Sequence, residues 1–208
     1  MVETLLGIDF GTGGSKACLT DAALNRLSYA FREYPIFTDR ADWSEHEPED
    51  YWRTACENVR KCVLDAGVDR RDIKAVAVSA AMPSMVLTGA DGRAVGRAFN
   101  LLDRRAKAET QEVLQKIGLD GYFDVTANRL EDHPSIVNLL WLKRNEPERY
   151  QRARMAHTID GYLTYRLTGV HNVNRSNAVF FGAFDMKTNA FDRGMIESLG
   201  LNPTLFPP

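Results

Sequence analysis

The residues best suited to chemistry lie near the start of the chain, where one acid precedes a glycine-rich turn. Asp9 ends a short apolar run, and a carboxylate in such a position is costly unless a ligand or solvent uses it. Backbone N–H groups of a glycine-rich turn can converge on one anion, and nearby hydroxyl groups and a cation strengthen such a site. The segment therefore predicts a phosphate loop. Its residues are Gly11, Thr12, Gly13, Gly14, Ser15 and Lys16.

Asp9 is the predicted metal ligand beside this loop. Carboxylate oxygens suit Mg²⁺, which Asp9 could hold directly or through water next to bound phosphates. The loop is not a Walker A motif, because it lacks the glycine-lysine-serine/threonine ending of that motif. Taken alone, the segment could equally be a plain glycine-rich hairpin turn with a solvated aspartate.

The surrounding pattern predicts a sheet that positions the loop. Apolar or alternating runs at residues 5–10, 16–20 and 27–34 are separated by short turns, which favours an antiparallel meander. Residues 73–81 are predicted to form a buried strand, and Asp91 and Gly92 mark a hairpin. We expect an α/β fold with a mixed sheet, in which three antiparallel strands are followed by parallel strands and flanked by helices.

The first predicted helix spans residues 48–66. Pro48 suits the first helical position and Gly67 suits the end, while apolar residues recur between them at helical spacing. Further helices are predicted at residues 104–117, 134–145, 147–152, 159–167 and 193–199.

Composition excludes several classes of function. The chain has 208 residues, a formal net charge of -2 and 26% charged residues, so nucleic acid is not the expected partner. No basic segment precedes a long apolar stretch, and neither a secretory signal nor a membrane partner is expected. The three cysteines show no metal-binding or disulfide spacing, which favours a reducing cytoplasm.

Six segments, in order, resemble those of the FGGY carbohydrate kinases. The phosphate loop itself resembles that of the wider actin-like ATPase superfamily, and the later segments narrow the resemblance to sugar kinases. Together they cover nearly the whole chain. The segments are D-F-G-T at 9–12, W-S-E-H-E-P-E-D-Y-W at 43–52, V-A-V-S-A-A-M-P-S-M-V-L at 76–87, L-L-D-R-R-A at 101–106, P-S-I-V-N-L-L-W-L-K-R-N-E-P-E at 134–148, and D-G-Y-L with R-L-T-G at 160–169.

The resemblance implies an RNase H-like, actin-like ATPase domain and ATP-dependent phosphorylation of a small sugar or polyol with Mg²⁺. Residues 1–208 would be the N-terminal, sugar-binding domain, and the ATP-binding domain and the general base would lie beyond them. A homodimer is possible. The resemblance places four residues at the border of the sugar pocket: Met82, Pro83, Asp103 and Arg105.

Two stretches depart from the family pattern where polar groups usually line the sugar pocket. The family's Q-M-H-G stretch and its W-N pair are replaced by Ala81, Met82, Pro83, Ser84, Leu101 and Leu102. A buried sugar hydroxyl needs a hydrogen-bonding partner, and sites that read hydroxyls discriminate strongly. We therefore expect that D-xylulose is not the best acceptor.

Other interpretations remain open for the chain and for single residues. The same fold could serve a non-catalytic sugar sensor or an actin-like assembly protein. Asp103 and Arg105 could be an exposed pair at a helix start, Asp160 could cap the helix that follows it, and His133 could face the sugar.

Overall fold

The computed structural model describes residues 3–133 and 135–208. In chain order, the strands are β1 (Thr4–Gly11), β2 (Gly14–Asp21), β3 (Arg26–Glu33), β4 (Glu45–His46), β5 (Ile73–Ala80), β6 (Val86–Thr88), β7 (Ala98–Phe99), β8 (Met155–His157), β9 (Phe184–Asp185) and β10 (Ala190–Phe191). The α-helices are α1 (Pro48–Ala66), α2 (Lys107–Ile117), α3 (Leu119–Thr126), α4 (Ser135–Asn145), α5 (Pro147–Arg152), α6 (Ile159–Thr168), α7 (Arg175–Ala178) and α8 (Arg193–Ser198).

The main sheet has four strands in the order β3-β2-β1-β5. Strands β1, β2 and β3 are antiparallel neighbours, and β5 is parallel to β1. The predicted mixed sheet and its antiparallel meander are confirmed. The described part of this sheet contains one parallel strand, whereas the sequence predicted more than one.

Helix α1 covers one face of this sheet. It begins at Pro48, and Gly67 ends it in a left-handed conformation with φ of 62°, as predicted. Its buried side, which includes Tyr51, Ala55 and Cys62, packs on alternate residues of the strands. This packing fixes which strand residues face the core, and the intervening residues face the other way.

The other face of the sheet is open in the described residues. On β3, Tyr29 is 46% exposed and Phe31 is 42% exposed, while Ser28 and Ala30, which alternate with them, are buried. Strand β5 was predicted to be buried, but most of its side chains are exposed, and Val76 is 49% exposed. The side chains of β5 are exposed because β5 is an edge strand of the described sheet.

The rest of the chain builds a second core around α4. Large side chains of α4 such as Ile136, Leu139 and Leu142 are fully buried there, together with Phe99 and Phe181. The predicted helices at 134–145, 147–152, 159–167 and 193–199 are present within about two residues at their ends. Residue 134 lies outside the described residues.

Several details of this part differ from the prediction, among them the start of α2 and the presence of α3. Helix α2 begins at Lys107 instead of residue 104, because residues 100–105 form a compact turn held by the side chains of Asn100 and Asp103. Helix α3 was not predicted.

The hairpin at Asp91 is confirmed by a hydrogen bond from the Gly92 N–H to the Gly89 carbonyl, 3.0 Å long.

Candidate functional site

Strand register brings Asp9 together with Lys16 and Ser79. Asp9 lies opposite Lys16 in the antiparallel β1–β2 pair and opposite Ser79 in the parallel β1–β5 pair. Lys16 Nζ lies 3.0 Å from Asp9 Oδ2, and Ser79 Oγ donates to Asp9 Oδ1 at 2.7 Å. All three side chains therefore sit on the open face of the sheet. Sequence reasoning missed Ser79, because the predicted strand at 73–81 was not paired with the first strand, a pairing that would have placed Ser79 opposite Asp9.

Asp9 is held in its charged form. Burial acts to raise its pKa, but hydrogen bonds from Ser79 and Lys16 and the charge of Lys16 outweigh burial and lower the pKa. The carboxylate is 45% exposed, so a ligand can reach it. An ionised, accessible carboxylate beside a hydroxyl fits Mg²⁺ held largely by water and phosphate oxygens.

A groove of about 340 Å³ on the open face adjoins this carboxylate. It runs from Asp9, Lys16 and Ser79 towards Cys18 and Tyr29. The described residues thus leave space next to Asp9 instead of packing side chains against it.

The predicted phosphate loop is the tight turn between β1 and β2. Gly11 pairs with Gly14, which leaves Thr12 and Gly13 as the two turn residues. None of the three glycines has a left-handed backbone, so the turn is not the left-handed nest that glycine would permit. Gly14 is required by close approach, because a Cβ there would lie 2.5 Å from the Arg32 carbonyl oxygen. Gly13 is exposed, and a Cβ on it would meet nothing within 4 Å.

Ser15 faces the protein interior. Its hydroxyl donates to Thr54 Oγ1 at 2.8 Å and accepts from Asn58 Nδ2 at 2.9 Å. The side chain is fully buried, so the hydroxyl is not available to a phosphate in this structure. Ser15 instead joins the end of the phosphate loop to α1.

The segment with Met82 and Pro83 leaves the sheet next to the end of β1. The Ala81 N–H donates to the Phe10 carbonyl at 2.7 Å, which fixes the chain one residue before Met82. Pro83 is buried and Met82 is partly buried, and the peptide bond between them is cis. Met82 and Pro83 therefore lie near the end of β1, the strand that contains Asp9.

Leu101 and Leu102 follow a strand that is bridged to the segment after Pro83. Met85 and Phe99 form an antiparallel bridge, so the residues before Met85 and the residues after Phe99 continue from the same end of it. Leu102 is 51% exposed. The backbone thus places Leu101 and Leu102 at the same end of this bridge as Met82 and Pro83.

Asp103 and Arg105 form a buried cluster with Glu45. Arg105 Nη2 lies 2.6 Å from Asp103 Oδ2 and 2.9 Å from Glu45 Oε1, and the Arg105 side chain is 1% exposed. The guanidinium also stacks 3.6 Å from the Trp43 ring centroid. The alternative of an exposed pair is wrong. Neither side chain faces open space, and Asp103 Oδ2 also accepts from the Ser44 N–H at 2.8 Å.

Two other candidates have structural partners. Asp160 does not cap its helix, because the N-cap of α6 is Thr158, which accepts from the Gly161 N–H. Asp160 instead accepts hydrogen bonds from Asn174 and Asn177, which ties α6 to α7.

His133 lies in a small polar cluster. Its Nδ1 lies 3.5 Å from Asp132 Oδ1, and Arg104 Nε lies 3.2 Å from the same oxygen. Burial and the charge of Arg104 lower the pKa of His133. Glu131, Asp132 and His133 lie close enough together to hold a cation. Arg104 already neutralises the charge of Asp132 in this group.

The sequence assigns this chain to a known family. The chain matches the N-terminal domain of the FGGY family of carbohydrate kinases over residues 4–208, and it is therefore a member of that family. Xylulose kinase of Bacillus subtilis is 25% identical across 100% of this chain and 41% of its own length. Glycerol kinase of a Marinomonas species is 30% identical across 100% of this chain and 43% of its own length. The chain thus spans about two fifths of these relatives.

Solved structures show the same fold. Xylulose kinase from Rhodospirillum rubrum superposes with a TM-score of 0.92 at 21% identity, covering 99% of this chain and 42% of that one. Plasmodium falciparum glycerol kinase with ADP gives a TM-score of 0.88 at 19% identity, with 99% and 42% covered. The predicted actin-like ATPase fold is confirmed. Among residues 3–133 and 135–208, no helix is long and apolar enough to span a membrane.

Proposed function

We propose that this chain is the sugar-binding and phosphate-loop half of a kinase that transfers the γ-phosphate of ATP to a small sugar or polyol. The observation that carries the proposal is the ionised Asp9, held by Lys16 and Ser79 beside a partly exposed two-residue turn. Family membership supports the class of reaction. The named activities of the relatives, xylulose and glycerol phosphorylation, support the class of acceptor.

The roles within the phosphate loop differ from residue to residue. Gly11, Thr12, Gly13 and Lys16 are placed to contact phosphates, since the turn is at least partly exposed and Lys16 carries the cation. Gly14 and Ser15 were also predicted to bind phosphate. We now assign them to holding the turn, through close packing on β3 and hydrogen bonds to α1.

Asp9 would hold Mg²⁺ there, directly or through water, and bound Mg²⁺ would neutralise charge on the transferring phosphoryl group. This chain's contribution is then to orient that group and to supply positive charge from Lys16. Phosphoryl transfer depends mainly on such positioning and charge stabilisation.

The acceptor would lie between Asp9 and the apolar segments with Met82 and Pro83. Asp103 and Arg105 were predicted to border the sugar. Because both are buried, we assign them the role of shaping the Leu101–Leu102 turn instead of direct contact.

The remaining parts of the reaction are proposed to come from outside residues 1–208. A second domain would bind adenosine and supply the general base that takes the proton from the attacking hydroxyl. Closure of the two domains would exclude water from the site. We further propose a cytoplasmic location and, as a possibility for the complete protein, a homodimer.

The test is a coupled ADP-release assay of the complete kinase that carries this chain, with a panel of sugars and polyols. We expect acceptor-dependent ADP release with at least one of them. Acceptor binding without ADP release would favour the alternative of a non-catalytic sugar sensor. The 208-residue chain alone should fold and release no ADP, because half of the site is then open to water.

A further inference from the structure

Three aromatic side chains lie beneath the turn between β1 and β2 and contact one another. They are Tyr34, His46 and Tyr51, from the loop after β3, from β4 and from α1, and each is at most 5% exposed. The ring of Tyr34 packs edge-on at 5.0 Å from that of His46 and at 5.3 Å from that of Tyr51, measured between centroids. We call these three residues the aromatic platform.

The platform binds the phosphate loop through backbone groups. The Tyr34 hydroxyl donates to the Gly11 carbonyl, and the Tyr34 N–H donates to the Gly13 carbonyl at 3.4 Å. The His46 ring packs edge-on against Tyr34 and holds it in place beneath the turn. A peptide unit is planar, so a fixed carbonyl also fixes the N–H of the next residue. The platform therefore sets the direction of the Thr12 N–H and holds the Gly13–Gly14 peptide at the other end of the turn.

These hydrogen bonds persist across the physiological pH range. Burial lowers the pKa of His46 to about 4, so the ring is neutral, and its Nδ1 lies 2.7 Å from the Tyr51 hydroxyl. Burial and the charge of Asp9 raise the pKa of Tyr34, so its hydroxyl keeps the proton that it donates.

We infer that Tyr34 and His46 are positioning residues, which orient the phosphate loop without contacting a phosphate themselves. Donors that are fixed before the reaction stabilise developing charge more than donors that must reorganise. Loss of the platform's hydrogen bonds should therefore lower kcat and leave the KM for the acceptor unchanged. The kinetic part of this inference rests on the proposed function.

Tyr34→Phe is the sharpest variant, because it removes the hydroxyl and keeps the ring. Tyr162→Phe is the matched control: Tyr162 is buried in the same core, and its hydroxyl accepts from Arg166 at 2.8 Å, away from the loop. In the complete kinase, Tyr34→Phe should lower kcat by about tenfold, the equivalent of one lost hydrogen bond, with acceptor KM unchanged. Tyr162→Phe should leave both parameters unchanged.

Amide hydrogen exchange of residues 11–15 in this chain gives a readout that needs no activity. Tyr34→Phe should accelerate exchange there by about tenfold, and Tyr162→Phe should not. If Tyr34→Phe does not fold, His46→Gln replaces it with the same expectation. Unchanged exchange at residues 11–15 would overturn the inference, whatever the kinetics. If the wild-type complete kinase phosphorylates no acceptor, the proposed function fails and the exchange result alone decides the positioning role.

Discussion

Lys16 Nζ lies 3.0 Å from Asp9 Oδ2, and the two residues are direct partners across the β1–β2 pair. Two opposite charges, Asp9 before the phosphate loop and Lys16 at its end, therefore neutralise each other in this structure. Because both side chains are nearly half exposed, the pair is weak enough for a phosphate or a cation to separate it.

Removing Lys16 should raise the pKa of Asp9. Lys16→Met deletes a hydrogen bond and a positive charge that both lower this pKa, while burial continues to raise it. Carboxyl ¹³C NMR titration of this chain measures the shift. Asp185 is the internal control, since its pKa is lowered by hydrogen bonds within its own turn. An unchanged Asp9 titration would show that the pair does not exist in solution.

Arg105→Met should destabilise the fold by about 3–5 kcal/mol, because it removes the buried guanidinium that lies within 2.9 Å of both the Asp103 and the Glu45 carboxylate. Arg32→Met is the control. It breaks an exposed pair with Glu57 and should cost less than about 1 kcal/mol. Urea unfolding gives both values. Equal losses in the two variants would contradict a buried role for Arg105.

The fold should lose stability as the pH falls below 6.5. Burial lowers the pKa of His157 to about 3 and that of His46 to about 4, both from 6.5. Between these values the unfolded chain binds protons that the folded chain cannot, so each histidine contributes a loss of up to about 1.4 kcal/mol per pH unit.

Replacing His157 tests this dependence. His157→Gln should flatten the slope of unfolding free energy between about pH 6.5 and pH 5, a window above most carboxylate pKa values. Thr88→Val is the control, since it removes the hydrogen bond to His157 Nε2 and should lower stability without flattening the slope. A slope that His157→Gln leaves unaltered would refute the assignment.

D-xylulose should not be the preferred acceptor of the complete kinase. Met82, Pro83, Leu101 and Leu102 offer apolar side chains where a hydroxyl would need a partner, so a less hydroxylated or differently configured acceptor should have the higher kcat/KM. Comparison of kcat/KM across a panel of sugars and polyols measures this. A wide preference for D-xylulose would reverse the prediction.

The sequence predicted best those features that depend on neighbours along the chain. Helix α1 could be predicted because Pro48 and Gly67 mark its ends. The meander could be predicted because short turns separate its strands. Helix α3 was missed: it follows α2 after a single residue, Gly118, and has a glycine, Gly121, in its own first turn. Glycine is unfavourable inside helices, and local propensity therefore argued against this one.

The parts of the site that depend on distant contacts were not predictable in this way. Nothing near Arg105 in the sequence indicates that Trp43 and Glu45 will enclose it. The hydrogen bond from Ser15 to Thr54 of α1 could not be predicted for the same reason, because the two residues are 39 positions apart in the sequence. Asp9 could be predicted because an acid between an apolar run and a glycine-rich turn is unusual within a single short segment.

Asp9→Asn in the complete kinase tests the central claim most directly, with ADP release measured in the presence of Mg²⁺, ATP and its best acceptor. The variant keeps the shape of the side chain and removes its charge. If Asp9 serves the metal and the phosphates, turnover should fall by at least about a hundredfold, while the melting temperature and circular dichroism stay close to wild type. Asp65→Asn, at an exposed helical pair with Lys61, should retain full activity. Near-normal turnover of Asp9→Asn would contradict the assignment of the phosphate loop.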